Sequence, residues 1–468
     1  MNGNEEKMEK KEKKEKKRMN DLFPTYTVGG AIAHGDWATR LSMLIMGFGC
    51  MIHRQLVKGL IMLALECAYV LFMVKKGAHC LAMMPSLGGQ AQTKVWNDAK
   101  QIYEYAAGDN SLLILLYGVA TLCITVGFFI LWMVQLQQSY KAQEELKKGL
   151  HVNNFLEDIK SLKDGNLHLT LMFFPMAGII LFNIVPLIFM ISMAFTSYSK
   201  ENNHLILFDW VGFTNFARVL SLKNNIGRQF WSVLEWTIIW AILATFMNYI
   251  LGMILAMIIN RKQTHWKGFW RFCFVLSIAV PQFVSLLIMH TMLQPQGAVN
   301  VILQNLGIID SPLPFFQNTL WARATIIIIN LWIGIPYTML QVTGILQNIP
   351  SELYEAARVD GAGPVTIFFK ITLPYMLFVT TPYLITSFTG NINNFNVIYL
   401  LSGGGPTKVG DTAGQTDLLV TWLYKLTVDQ QYYNLGSVIG IFTFIILAVI
   451  ALVSYRNSGS YKNEEEFM

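Results

Sequence analysis

Apolar residues along this chain gather into runs of about 20, the length a helix needs to cross the hydrocarbon core of a bilayer. Eight such runs can be read, at approximately 58–75, 112–134, 169–195, 232–259, 270–293, 324–347, 375–400 and 435–455. The first is the shortest. A further apolar stretch, 41–52, is too short to span and reads as an interfacial or re-entrant segment. The polar segments between runs divide the chain into a charged tail (1–40), a membrane segment with two spans (41–135), a charged linker (136–168), a block of six spans (169–457) and a short tail (458–468). The pattern predicts an all-α integral membrane protein of about eight transmembrane helices.

Composition strengthens that picture. Hydrophobic residues make up 53% and charged residues 14%, against about a quarter charged in soluble domains. The 5 cysteines are too few for a disulfide scaffold. None is spaced as CxxC, and Cys67, Cys123 and Cys273 sit in apolar runs, where cysteine packs as a small hydrophobe. No HExxH pattern or other metal-ligand spacing is present. The net charge of +6 resolves into topology rather than nucleic-acid binding. With the N-terminus placed inside, twenty-three Lys and Arg fall on inner segments and ten on outer ones, with Lys58 and Arg323 at boundaries. Positive residues concentrate on the cytoplasmic side, so both termini are expected in the cytoplasm, with the chain in the plasma membrane. The Lys/Glu-rich stretch 5–18 reads as a solvated tail; weak contact with anionic lipid is the other reading.

Ionisable groups inside a bilayer are costly and mark function. Only two carboxylates fall in the spans, Glu66 and Glu235. Glu235 lies between Trp231 and Trp236 and reads as interfacial; Glu66 is deeper and unassigned. An ion-coupled secondary carrier would need buried acids in its pathway, and a membrane-embedded enzyme would need an acid pair, a Ser/His set or a metal site. The sequence offers neither.

The seventh run is unusual in another way. Asn391, Asn393, Asn394 and Asn396 crowd into six residues, close to Ser387 and Gly390. Neutral amides offer donors and acceptors together, which suits a ligand rich in hydroxyls. The sixth run adds Asn330, Trp332, Gly334, Pro336 and Tyr337, and its Gly and Pro predict a kink that frees backbone groups toward a cavity. A polar pathway and amides that merely join helices are both open on these residues.

Between the sixth and seventh runs the chain reads PSELYEAARVDGAGPVTIFFKITLP from Pro350 to Pro374. Ser351 reads as an N-cap, Gly361 as a left-handed helix stop, and Pro364 as the start of a second short helix. Leu353, Ala356, Ala357 and Val359 would present a small apolar surface. A helical hairpin lying on the membrane and a helix that docks in another protein's groove fit the pattern equally.

This stretch resembles the EAA loop of ABC-importer permeases: Glu355-Ala356-Ala357, Gly361, Ile371 and Leu373-Pro374 keep its full spacing, with Asp360 before the glycine. Asn330-Leu331-Trp332, Asn393-Asn394-Phe395, Gly404-Gly405-Pro406, Ala413-Gly414 and Thr416–Val420 extend the likeness over roughly 169–457, to the larger membrane subunit of maltose and maltodextrin importers. The resemblance implies a six-helix type I importer core and a coupling loop at 350–374 that docks on ATPase subunits. It implies a second homologous permease, two ABC ATPases, an extracellular solute-binding lipoprotein and an oligosaccharide as partners. Membrane lipid joins them and nucleic acid does not. ATP and magnesium would sit on the partner subunits; this chain would carry no cofactor and no catalytic residue, and it has no GxxxxGK[ST] segment. Carried over by position, Asn330, Ile333, Gly334, Tyr337, Ser387, Gly390, Asn391, Asn394 and Asn396 would line the sugar site. Gly390 departs from the maltose-specific pattern, which has an aromatic ring there. Maltose or maltodextrin is the expected cargo, with a galacto-oligosaccharide as the alternative. The short segment 196–231 lacks the large external domain that some members carry.

Overall fold

The computed structural model describes residues 26–456 apart from 99, 106–107, 202–203 and 262. The charged stretch 5–18 and the tail 458–468 lie outside the described residues. Two compact units form, Met1–Met190 with Leu205–Trp210, and Ile191–His204 with Val211–Met468.

In the first unit, α1 (Val28–His34), α2 (Trp37–Leu41) and α3 (Phe48–Ile52) are short. They precede α4 (Leu56–Met83), which passes through a π turn at Met73–Gly77. A small hairpin, β1 (Lys94–Asn97) and β2 (Ile102–Tyr105), pairs antiparallel. Then come α5 (Ser111–Lys147), α6 (Phe155–Ser161) and α7 (Leu167–Ala194). The stretch 41–52 therefore folds as turns and a short helix. Side chains from longer helices satisfy its backbone: Gln135 Oε1 accepts from Gly47 N at 3.1 Å and Glu66 Oε2 accepts from Met46 N at 2.8 Å. Glu66 thus has a structural employment. Gly47, at φ +78°, lets this turn lie directly on Gly59, where any Cβ would collide. The linker 136–168 is less separate than its charge implied, because α5 continues through it as far as Lys147.

The second unit takes in the end of α7, then α8 (Thr214–Leu220), α9 (Asn225–Asn260), α10 (Lys267–Ala279), α11 (Gln282–Met292), α12 (Ala298–Asn305) and α13 (Thr319–Gln347). It continues with α14 (Ser351–Val359), α15 (Pro364–Ile367), α16 (Leu373–Ile392), α17 (Phe395–Ser402), α18 (Leu419–Tyr424) and α19 (Tyr433–Arg456). Among the described residues, seven helical stretches are long and apolar enough to cross a membrane, and an eighth candidate is broken. That break corrects the expected run 270–293: α10 and α11 meet at 85°. Pro281 cannot donate a helical hydrogen bond and holds the preceding Val280 extended, at ψ 126°.

Packing in this unit is layered along α9 and α13. One apolar cluster joins Trp236, Trp240 and Ala244 to Ile326, Ile329 and Val397. Another joins Tyr249, Met253 and Ala256 to Met339, Val342 and Met376. Between them the two helices come close at glycines. A Cβ at Gly252 would press on Thr338, and one at Gly334 would collide with the Asn248 amide. Small residues at a crossing permit such approach without a hydrophobic drive.

Candidate functional site

Where the two apolar clusters part, polar residues face a cavity of about 350 Å³. Such a volume falls within the roughly 300–1,000 Å³ of small-molecule sites. α13 contributes Asn330, Ile333, Gly334, Tyr337 and Thr338, and α16 contributes Tyr383, Ser387, Gly390 and Asn391. Asn394 closes it beyond the end of α16. The structure so gathers eight of the residues singled out from sequence around one space. Asn396 is the exception. The helix ends at Asn393, Asn394 caps α17 by accepting from Val397 N at 3.3 Å, and Asn396 is carried to an exposed position off the cavity.

Five polar lining residues escaped the sequence reading: Thr245 and Asn248 on α9, Gln282 at the start of α11, Thr338 on α13, and Tyr383 on α16. Each stands apart from the amides of the seventh run, with no cluster to draw attention. Gln282 depends on the break at Pro281, which puts the first turn of α11 at the cavity.

The hydrogen bonds divide the amides by task. Asn391 is spent on structure: its Nδ2 donates to Thr245 Oγ1 at 2.9 Å and its carbonyl accepts from Trp240 Nε1 at 3.1 Å. Asn394 Nδ2 donates to Asn391 Oδ1 at 3.4 Å. Asn330 Nδ2 and Asn248 Oδ1, in contrast, are buried and without a partner. One is a donor and one an acceptor, and both residues line the same cavity. A buried unpaired polar atom costs about 1–3 kcal/mol, so the pair is suited to a ligand that donates and accepts at once. A hydroxyl does both. Among the described residues, none that lines the cavity carries a formal charge.

The 350–374 loop is built differently from expectation in two details. Pro350, not Ser351, holds the cap position, and it makes no side-chain cap hydrogen bond. The second helix is not free-standing, since α15 runs through a π turn (Phe368–Thr372) straight into α16. The stop at Gly361 is as read. At φ +80° it donates to Arg358 O at 3.0 Å while Ala362 N donates to Ala357 O at 2.9 Å, the paired closure of a Schellman motif. Tyr354 packs inward, with its hydroxyl 3.3 Å from Thr372 Oγ1. Glu355, Ala356, Asp360, Gly361 and Pro374 are exposed, whereas Ala357, Ile371 and Leu373 are half-buried. Val359 is 87% exposed, and Leu353, Val365 and Phe369 are exposed as well. These apolar side chains and Glu355 are presented outward.

Residues 248–459 match the family model described as "binding-protein-dependent transport system inner membrane component". Over 442 residues the chain is 34% identical to the galactooligosaccharides transport system permease protein GanP of Bacillus subtilis (strain 168), covering 92% of this chain and 99% of that one. It is 33% identical to the maltodextrin transport system permease protein MdxF of the same organism, covering 91% and 96%. Among solved structures it is similar in fold to a bacterial ABC transporter involved in the import of the acidic polysaccharide alginate, at 22% identity and a TM-score of 0.50, covering 64% of this chain and 96% of that one.

Proposed function

The chain belongs to the permease family of binding-protein-dependent ABC importers, and from that premise we propose that it passes neutral oligosaccharides across the plasma membrane, maltodextrin first among them. The observation that carries the reading is the cavity between α9, α13 and α16, uncharged throughout and holding the unpartnered Asn330 Nδ2 and Asn248 Oδ1. A galacto-oligosaccharide is the second reading. Gly390 favours it, because the space before that residue is open and no ring imposes a stacking partner; the similarity to GanP is of the same order as that to MdxF.

In the proposed cycle, both termini and the 350–374 loop face the cytoplasm. Two partner ATPases bind ATP and magnesium and grip the surface around Glu355, with Ala356, Ala357, Asp360 and Gly361 in the contact and Ile371, Leu373 and Pro374 fixing the return of the chain. Their closure turns the six-span block outward. A solute-binding protein then delivers sugar to a cavity formed with a second homologous permease, and hydrolysis on the ATPases resets the pair.

Uptake of a panel of labelled oligosaccharides in a deletion strain tests the cargo. Maltotriose uptake restored by this chain supports the first reading, and restoration confined to galacto-oligosaccharides replaces it with the second. Asn391→Leu should lower uptake about tenfold while the complex still assembles, because the cavity loses a polar wall where α16 is held to Thr245 of α9; unaltered uptake would leave that amide with its structural role alone. Gly390→Trp, placed where a Cβ meets nothing within 4 Å, should shift preference toward shorter chains by about fivefold, equivalent to roughly 1 kcal/mol. Equal loss for every chain length would mean the position does not face the cargo.

A further inference from the structure

A second cavity, of about 260 Å³, opens where the N-terminal ends of α9 and α13 meet the loop 403–418. The length of α13 separates it from the 350–374 loop, so it lies toward the opposite face of the membrane. Its walls carry three cations, Arg228, Arg323 and Lys408, and two acids, Asp411 and Asp417. Asp417 is committed, and Asp411, held by one neutral amide, leaves the three cations in excess. Asp417 is fully buried, paired to Lys425 Nζ at 2.7 Å, and accepts from Thr421 Oγ1 at 2.9 Å and Gly414 N at 2.6 Å. Asp411 Oδ1 accepts from Asn225 Nδ2 at 3.1 Å.

The cations are not committed. Arg228 and Lys408 are exposed, and neither has a carboxylate within ion-pair distance among the described residues. Arg323 donates through Nε to the neutral carbonyl of Gln415 at 3.0 Å and lies 4.2 Å over the Trp236 ring, with Glu235 in its field but beyond pairing distance. Gln229, only 6% exposed, supplies the decisive sign. Its Oε1 accepts from Thr412 N, Thr412 Oγ1 and Ala413 N, which leaves Nε2 buried in the cavity wall without an acceptor. Uncommitted cations and an orphaned amide donor call for an anionic acceptor with at least two oxygens, as a carboxylate or a phosphate supplies, and on a surface that meets a partner protein the group at hand is a carboxylate. A sugar fits less well, because among the described residues the one aromatic ring in the wall, Trp236, is 4% exposed and already covered by Arg323.

We propose that this cavity receives an acidic side chain, aspartate or glutamate, from the extracellular solute-binding protein when it docks. The proposal rests on the transport reading above. Its supports are charge complementarity, the placement at the end of α13 remote from the 350–374 loop, and the anchoring of the loop 403–418 by buried Asp417. The site holds the partner in register; the cargo goes elsewhere.

The test uses the whole complex with its ATPases in nanodiscs, titrated with the solute-binding protein that stimulates its ATPase. The double variant R228E/K408E should weaken association about tenfold or more and flatten its dependence on salt, since rim charges set encounter and salt sensitivity. Both side chains are exposed, and R228K/K408R should restore binding. Unchanged affinity and salt dependence in R228E/K408E would overturn the proposal while leaving the transport reading in place. Sodium glutarate is the free-carboxylate probe. Glutarate binding that needs Arg228 and Lys408, alongside protein docking that does not, would also overturn it, in favour of a soluble ligand. A wild-type complex that imports no sugar and that no binding protein stimulates would overturn the transport reading and this one with it.

Discussion

Replacing Glu355 with lysine should lower oligosaccharide uptake about a hundredfold or more, because like charges facing each other in an interface cost several kcal/mol. The side chain stands exposed on α14, and among the described residues it makes no hydrogen bond or ion pair that the fold would miss. The permease itself should therefore reach the membrane in normal amount. What should fail is its association with the ATPase subunits, read by co-purification, together with uptake of labelled maltotriose. Gln at the same position removes charge without reversing it and should fall between. Full uptake by Glu355→Lys would dismiss 350–374 as the coupling loop and return it to a hairpin resting on the membrane.

Asp417→Ala carries the largest expected effect on stability. It leaves Lys425, whose side chain is 15% exposed, without its carboxylate, and breaking a buried pair from one side costs about 3–5 kcal/mol. Burial pushes the Asp417 carboxyl above the ordinary carboxylate range, against the pull of Lys425, so the pair is an anchor whose own desolvation is incompletely offset. The double variant D417A/K425M should for that reason recover much of what the single one loses. The loop has no slack in which to rearrange, because Gly404, at φ +80°, lies against Asp417 so closely that any Cβ would strike its Oδ1. Thermal unfolding in detergent reads the effect. A midpoint for Asp417→Ala equal to that of the wild type would mean Lys425 finds water or another acceptor at little cost.

What the sequence disclosed and what it hid follow physical lines. Hydrophobic periodicity over some 20 residues is a strong signal, and each of the eight runs became helical, as one stretch or, at Val280–Pro281 and at Asn393–Asn394, as two helices in succession. The break was hidden because an apolar run conceals direction; Pro281 was the only mark, and prolines at 175, 336 and 382 lie inside helices that continue. The amides of the seventh run stood out because four of them crowd together, and the structure gathers Asn391 and Asn394 at the cavity. Asn248 and Gln282 did not stand out, since a single polar residue in an apolar span looks the same whether it glues helices or faces a ligand. Only the orphaned Asn248 Oδ1 separates the two cases. Gly361 was legible because its left-handed geometry excludes most alternatives. The cap at residue 350 was misjudged because Pro350 and Ser351 both suit a helix start, and the choice between them depends on how α13 ends.

The unbroken helical path from Pro364 to Ile392 has a mechanical consequence. At about 1.5 Å of rise per residue, Lys370 and Gly390 stand roughly 30 Å apart on one lever arm. If an ATPase tilted the near end by about 10°, the far end would swing by about 5 Å, close to the width of a sugar ring. The gate and its handle would then be two ends of a single beam. Damage anywhere along it, including a softened hinge at Pro382, would show as slippage between ATP consumed and sugar moved rather than as lost affinity for either.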